Sequence, residues 1–191
     1  ITFAASANAV LYCGGTPVFA DIDPRTYTLF PQSVDERITP RTKAVIAVDF
    51  TGQSCDYDAL RVICQKHHLL LIEDAAHSLG TVYRGTPVGS LADLTTFSFH
   101  PVKTVTAGEG GAVMCRSPEL AQRALLYARH GITRDPALLQ EEGNSNWYYE
   151  EQLLGYNYRL TDLQCALALS QLEKLDRFAA RRKELVRAYQ E

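Results

Sequence analysis

Apolar residues form several short continuous runs along this chain. The runs Ala44–Val48 and Leu69–Ile72 lack alternation and are bounded by polar residues, which predicts strands buried on both faces. Leu94–Phe99 and Gly111–Cys115 predict two further strands, and Thr16–Ile22 predicts another. The pattern therefore indicates a sheet with several interior strands.

Helix signals lie between these runs. Ser117 precedes Pro118 as an N-cap hydroxyl, and Thr161 with Gln164 fits a capping box. The first predicted helices are Ser6–Cys13, closed by Gly14, and a short helical turn over Ser33–Ile38. The next is capped by Asp56 and contains Leu60, Ile63 and Cys64, and another runs from Ser117 toward Gly131. A single long helix is predicted from Thr161, with Leu163, Leu167, Leu175 and Phe178 on one side.

Strands thus alternate with helices along most of the chain. This order predicts an α/β domain with a mainly parallel sheet flanked by helices. The length of 191 residues suits one domain or one and a half. The chain opens and closes in the middle of a pattern, so we expect it to be part of a longer protein.

Composition excludes several classes of protein. The chain is 46% hydrophobic and 21% charged, which argues against a disordered, collagen-like or coiled-coil protein. A net charge of −3 does not favour a nucleic-acid partner, and no apolar run reaches the ~20 residues of a membrane helix. The five cysteines are odd in number and show no C-x-x-C spacing, which predicts reduced thiols that mostly fill the core, a cytoplasmic location and no metal site.

Reactive side chains follow two of the predicted strands. Glu73–His77 come after Leu69–Ile72, and Ser98–Lys103 come at the end of the next strand. Ligands of parallel sheets bind at the carboxyl ends of the strands, so we expect these residues to share one rim.

Lys103 differs from the other lysines in its surroundings. It lies between Val102 and Val105, where an amine loses hydration and becomes suited to Schiff-base chemistry. A solvated surface lysine is the alternative. The other four lysines are predicted to be solvated: Lys43, Lys66, Lys174 and Lys183.

Asp74 has two interpretations. In the first interpretation, Asp74 is a structural helix cap or the partner of an ion pair. In the second, its carboxylate faces a cationic heterocycle, such as the protonated ring of pyridoxal phosphate (PLP). Ser98 fits a phosphate donor, and His77 alone fits an ordinary surface or core histidine. Gly108–Gly111 lacks G-x-G-x-x-G and precedes a strand, which predicts a tight turn and argues against a NAD-binding module.

These residues resemble the DegT/DnrJ/EryC1/StrS family of PLP-dependent sugar aminotransferases over essentially the whole chain. The resemblance is closest to the branch that acts on UDP-linked 4-keto sugars in the pseudaminic-acid and aminoarabinose pathways. Six motifs agree in order and spacing: Thr2–Ala9, Pro40–Ala44, Glu73–His77, Ser98–Lys103, Glu109–Gly111 and Gly155–Leu160.

The resemblance implies an aspartate aminotransferase-like large domain of fold type I over residues 1–160, with its N-terminal part missing. Residues 161–191 would lead toward a C-terminal small domain that is absent. The implied site residues are Lys103, bound to PLP as a Schiff base; Asp74, on the pyridinium; His77, near the ring hydroxyl; Ser98, on the phosphate; Phe3, stacked on the ring; and Asn157, reaching the cofactor phosphate of the neighbouring subunit in a homodimer.

The implied activity is transfer of an amino group, from glutamate, to a UDP-linked 4-keto-6-deoxy sugar for polysaccharide biosynthesis. Two alternatives stay open: a PLP-dependent sugar dehydratase, which carries histidine at the position of Lys103, and a non-catalytic PLP-binding regulatory homologue. The segment 132–158, with Trp147, either approaches the nucleotide sugar or is a solvated surface loop.

Overall fold

The structure, a computed structural model, describes residues 1–140 and 147–190. The strands are β1 (Ala44–Val48), β2 (Leu70–Asp74), β3 (Val82–Tyr83), β4 (Thr86–Pro87), β5 (Leu94–Ser98), β6 (Gly111–Cys115), β7 (Ile132–Thr133) and β8 (Glu150–Glu151). The α-helices are α1 (Ala4–Tyr12), α2 (Pro31–Arg37), α3 (Tyr57–Lys66), α4 (Pro118–Ala128), α5 (Asp162–Leu172) and α6 (Leu175–Gln190). Short 3₁₀ turns cover Phe50–Gly52 and Pro136–Leu138.

The central sheet has four strands in the order β1-β2-β5-β6. β1, β2 and β5 are parallel, whereas β6 runs antiparallel to β5. Val48 pairs with Asp74, and Asp74 pairs with Thr96, so these three strands end at the same edge. The predicted α/β class with a mainly parallel sheet is confirmed.

One face of the sheet carries the larger apolar core. Val45 and Ala47 of β1 are buried there with Leu71 of β2, and α3 covers them with Leu60 and Cys64. The other residues of β1 and β2 alternate with the buried ones and are at most partly buried. The prediction that these strands are buried on both faces is therefore wrong, because only one face is fully covered. A second, smaller apolar cluster joins Phe97 of β5 and Ala112 of β6 to Ala168 of α5 and Leu175 of α6.

The predicted helix starts are confirmed by their capping contacts. Asp56 caps α3 and Ser117 caps α4, each by accepting a hydrogen bond of 3.2 Å from the N–H three residues later. Thr161 and Gln164 form the reciprocal capping box of α5, with hydrogen bonds of 3.3 and 3.0 Å.

The predicted strand Thr16–Ile22 is wrong. Only Ile22 makes a bridge, with Leu29, and the side chains of Val18 and Phe19 are exposed. Among the described residues no strand lies alongside this segment, and an apolar pattern without a neighbouring strand forms no sheet.

The single long helix predicted from Thr161 is also wrong. A turn at Glu173 and Lys174 separates α5 from α6. The turn places Leu175 against the smaller apolar cluster, whereas the side chain of Leu163 is 85% exposed. The apolar spacing continues across the turn, so it does not reveal the interruption between α5 and α6.

All five cysteines carry free thiols. Cys55 and Cys64 are buried, but Cys13 and Cys165 are exposed and Cys115 lies between, so the prediction that most fill the core is wrong. Within the described ranges, none of the helices is long and apolar enough to cross a bilayer.

Candidate active site

The Asp74 carboxylate lies at the carboxyl end of β2 and is held there by two neutral donors. The Ser6 hydroxyl donates to Oδ2 at 2.6 Å, and the Ala76 N–H donates to Oδ1 at 3.2 Å. Ser6 belongs to α1, so this contact fixes the N-terminal helix against the rim of the sheet. Sequence reasoning missed Ser6, although it lies inside the Thr2–Ala9 motif.

No described lysine, arginine or histidine forms an ion pair with Asp74. The side chain is partly exposed at the rim. Its negative charge is therefore available to a cation that enters from outside, as the heterocycle interpretation requires.

Ser98 is the last residue of β5, and Lys103 lies in the loop that follows this strand. The Ser98 hydroxyl accepts a hydrogen bond from the His100 N–H at 3.5 Å, and the Lys103 N–H donates to the His100 carbonyl at 3.0 Å. Because β5 is the neighbour of β2, Ser98 ends its strand at the same edge of the sheet as Asp74, and Lys103 follows in the next loop. The grouping of the three side chains around one ligand stays a prediction.

The Lys103 side chain is partly buried and lines an open cleft of about 370 Å³ with Phe178 and Arg181 of α6. Neither Asp74 nor Ser98 lines this cleft. Of the two flanking valines only Val105 is buried, whereas Val102 is 80% exposed, so the expected enclosure comes from one side. Among the lysines predicted to be solvated, Lys174 is partly buried.

The predicted turn at Gly108–Gly111 is confirmed. Gly108 and Gly110 have φ values of +80° and +147°, and β6 follows directly. The Glu109 carboxylate in this turn forms a hydrogen bond with Nδ1 of His100 at 3.0 Å. The side-chain amide of Gln164 donates a second hydrogen bond to the Glu109 backbone carbonyl, also at 3.0 Å. The turn thus ties the loop after β5 to α5.

The other three predicted site residues are exposed. Phe3 precedes α1 with 75% of its surface exposed, and His77 lies in the turn after β2. Asn157 forms an isolated antiparallel β-bridge with Arg129, the residue that follows α4. Among the described residues, no hydrogen bond joins Asn157 to Asp74, Ser98 or Lys103.

The side chains at the rim match the polar parts of PLP. A carboxylate without a basic partner suits the ring nitrogen, a strand-end hydroxyl suits a phosphate, and a partly buried primary amine suits the aldehyde. The described residues contain no cluster of three or more histidine, cysteine or acidic side chains suited to a metal.

The sequence profile of the DegT/DnrJ/EryC1/StrS aminotransferase family matches residues 1–191. The spore coat polysaccharide biosynthesis protein SpsC of Bacillus subtilis is 43% identical over 190 residues, which cover 100% of this chain and 49% of SpsC. GDP-perosamine synthase of Caulobacter vibrioides is 42% identical over 191 residues, covering 100% of this chain and 48% of the synthase. The chain therefore spans about half the length of these curated relatives.

The fold also matches a solved aminotransferase. PseC of Helicobacter pylori, which is involved in the biosynthesis of pseudoaminic acid, superimposes with a TM-score of 0.83 at 36% identity. The match covers 92% of this chain and 45% of PseC. It confirms the predicted aminotransferase-like fold of the large domain.

Proposed function

Because the chain belongs to the DegT/DnrJ/EryC1/StrS aminotransferase family, we propose that the whole protein transfers an amino group from glutamate to a nucleotide-linked keto sugar. PLP, the cofactor of this family, supplies the electron sink and stores the amino group between donor and acceptor. The observation that carries the proposal is that Asp74 and Ser98 end neighbouring parallel strands, with Lys103 in the loop that follows Ser98.

Asp74 holds a proton at the ring nitrogen of the cofactor. A charge pair about 4 Å apart is worth about 4 kcal/mol at an effective dielectric constant of about 20. The Ser6 hydroxyl and the Ala76 N–H keep the carboxylate in position without neutralising it.

Ser98 acts from the end of β5 and Lys103 from the loop that follows. The Lys103 amine would hold the cofactor and, once the substrate amine has displaced it, would move a proton at Nζ to and from the substrate carbon. The Ser98 hydroxyl binds the phosphate, while Phe3 packs on the ring and His77 lies near its hydroxyl. The turn at Gly108–Gly111 keeps this loop fixed while the proton moves.

The keto sugar that we propose is a UDP-linked 4-keto-6-deoxy sugar, used for polysaccharide biosynthesis in the cytoplasm. The motifs Glu73–His77 and Ser98–Lys103 support this branch, as does the likeness to PseC. GDP is the competing nucleotide, because GDP-perosamine synthase is also 42% identical to the chain. The free thiols of all five cysteines suit a reducing compartment.

A homodimer with shared active sites is part of the proposal. Asn157 would reach the cofactor phosphate of the neighbouring subunit. Its exposed side chain leaves it free to do so, and a two-fold axis would create two equivalent shared sites. Parts of the segment 132–158 would then face the nucleotide sugar, although residues 141–146 lie outside the described ranges.

Both alternative functions are disfavoured by the same side chains. A dehydratase of this family carries histidine where this chain has Lys103, and a regulatory homologue has no need for the complete set of Asp74, Ser98 and Lys103. An amine at this position retains the proton-transfer chemistry of an aminotransferase.

The test uses the whole protein with isotopically labelled glutamate and a panel of UDP-, dTDP- and GDP-linked 4-keto sugars. We expect labelled nitrogen in the UDP-sugar product by mass spectrometry. Lys103→Ala abolishes both this transfer and the borohydride-reducible attachment of PLP, whereas the exposed control Lys43→Ala retains both. A PLP adduct on another lysine, or a product that has lost water instead of gaining nitrogen, contradicts the proposal.

A further inference from the structure

Two carboxyl groups with no assigned role are buried directly behind the rim. Asp49 follows β1 and Glu73 lies in β2, and both residues are 0% exposed. They are neighbours across the sheet, because Ala47 pairs with Glu73 and the Asp49 N–H donates to the Asp74 carbonyl at 3.1 Å. Neither carboxyl group forms an ion pair with a basic side chain of the described chain.

Asp49 is surrounded by donors, as an ionised carboxylate requires. Its Oδ1 accepts from the Tyr57 hydroxyl at 2.8 Å and the Cys55 N–H at 3.1 Å, and its Oδ2 accepts from the Ser78 hydroxyl at 2.8 Å. Burial raises the pKa of Asp49, while these donors act in the opposite direction.

Glu73 is satisfied on one oxygen only. Its Oε2 accepts from the Thr95 hydroxyl at 2.6 Å and from the Gly89 N–H at 3.2 Å, whereas the buried Oε1 has no hydrogen-bond partner among the described residues. If Glu73 is ionised, its Oε1 is a buried acceptor without a donor. If Oε1 carries a proton, it becomes a donor and needs only a neighbouring acceptor.

Asp49 is the neighbouring carboxylate that could supply this acceptor, because it lies two residues beyond Ala47, the partner of Glu73 in the sheet. Burial is the main cause that raises the pKa of Glu73, and the nearby charge of Asp49 raises it further. Two carboxyl groups can hydrogen-bond to each other only if a proton lies between them.

We propose that Glu73 is protonated in the folded protein at neutral pH, donates this proton from Oε1 to Asp49, and thereby positions Asp74. The pair holds both ends of the segment from Asp74 to Ser78: Asp49 binds the Asp74 carbonyl through its N–H and the Ser78 hydroxyl through Oδ2. The role toward Asp74 rests on the proposed function, whereas the shared proton does not.

The titratable groups around the pair cannot balance a second negative charge. Burial raises the pKa of the Cys55 thiol to about 12, and burial with the charge of Asp49 raises that of Tyr57 as well, so both stay neutral. The remaining contacts come from neutral groups of Ser78, Thr95 and Gly89. Loss of the Glu73 proton would therefore leave two adjacent buried charges without a cation.

The Glu73→Gln side chain has the same size as a protonated Glu73 and, like it, one acceptor oxygen and one donor group. The amide oxygen accepts from Thr95 and Gly89, and the amide NH₂ donates to Asp49. Glu73→Ala removes the donor and leaves a cavity. Glu36→Gln is the matched control, because Glu36 is an exposed glutamate on α2.

The sign of the pH dependence follows from the raised pKa. The folded protein keeps a proton on Glu73 that the unfolded chain releases above the ordinary pKa of 4.5. The stability that this proton contributes is complete below the unfolded-state pKa and is lost as the pH rises through the folded-state pKa. The unfolding equilibrium constant of the wild type should therefore rise by up to about tenfold per pH unit relative to Glu73→Gln in this window.

The decisive measurement is infrared spectroscopy of the whole protein at neutral pH. We expect a carbonyl band of a protonated carboxyl group that Glu73→Gln removes and Glu36→Gln retains. In PLP titrations, Glu73→Gln should bind within about twofold of the wild type and Glu73→Ala at least about tenfold more weakly.

Absence of the band from the wild type overturns the shared proton. Equal PLP affinities for Glu73→Gln and Glu73→Ala overturn the positioning role. Failure of amino transfer to every keto sugar would contradict the proposed function alone, because it leaves the infrared result unchanged.

Discussion

At the scale of single residues, the charge of Asp74 is the property that the rim preserves. The Ser6 hydroxyl and the Ala76 N–H orient the carboxylate, but neither carries a positive charge that would compete with a cofactor ring. Orientation and charge are therefore supplied by different groups, and single substitutions can separate them.

Asp74→Asn removes the charge and keeps the shape of the side chain. We expect the variant to fold, to lose the absorbance of the ring-protonated cofactor, and to lose at least about a hundredfold in kcat/KM, which corresponds to about 3 kcal/mol. The measurements are the absorption spectrum and steady-state kinetics. Ser6→Ala keeps the charge and loses one hydrogen bond to it, so its loss should stay near tenfold. Wild-type kinetics in Asp74→Asn would refute the pairing with the ring.

At the scale of secondary-structure elements, two glycines that follow helices have nearly the same φ. Gly14 follows α1 with a φ of +71°, and Gly131 follows α4 with a φ of +70°. A Cβ on Gly14 would meet no atom within 4 Å, whereas one on Gly131 would overlap the Leu153 carbonyl oxygen. The pair separates backbone strain from steric overlap.

Gly14→Ala should lower the free energy of unfolding by about 1 kcal/mol, the cost of a left-handed alanine. Gly131→Ala adds the overlap with Leu153, and we expect a loss of about 3 kcal/mol. Denaturant unfolding of the two variants beside the wild type measures the difference. Equal losses would show that the segment at Leu153 moves aside without cost.

Local signals explain why much of the fold could be predicted from the sequence. The helix caps at Asp56, Ser117 and Thr161 depend on residues within a few positions of one another. The segment Thr16–Ile22 failed because a strand needs a partner, which no local pattern supplies.

The site follows the same division. Asp74, Ser98 and Lys103 could be predicted because each follows or ends a strand, and parallel strands end at one edge. Ser6 and the Asp49–Glu73 pair could not, because their contacts join segments that are distant in sequence.

At the scale of the whole molecule, the two predicted cofactor contacts Asn157 and Lys103 lie on separate parts of the chain. Asn157 is bridged to Arg129 after α4, while Lys103 follows β5. In the proposed dimer, one subunit would supply Lys103 and the other would supply Asn157 to each site.

Subunit mixing tests this arrangement. Lys103→Ala and Asn157→Ala should each be inactive, and exchange between them should restore activity, approaching one working site in each mixed dimer. The readout is amino transfer after exchange, with mixed dimers counted by native mass spectrometry. Lys103→Ala mixed with Asp74→Asn is the control that stays inactive, because both residues belong to one rim. No recovery in confirmed Lys103/Asn157 mixed dimers would place Asn157 outside the neighbouring site.

The antiparallel strand β6 has a further consequence for how this piece of chain behaves on its own. Within the described residues β6 pairs with β5 alone, and its Val113 and Met114 side chains are half exposed. A row of free backbone N–H and C=O groups beside exposed apolar side chains is a template for strand addition between molecules. Expressed without a covering segment, residues 1–191 would thus be prone to aggregation, so purification tags and solubility partners matter more for this piece than for a domain with closed edges.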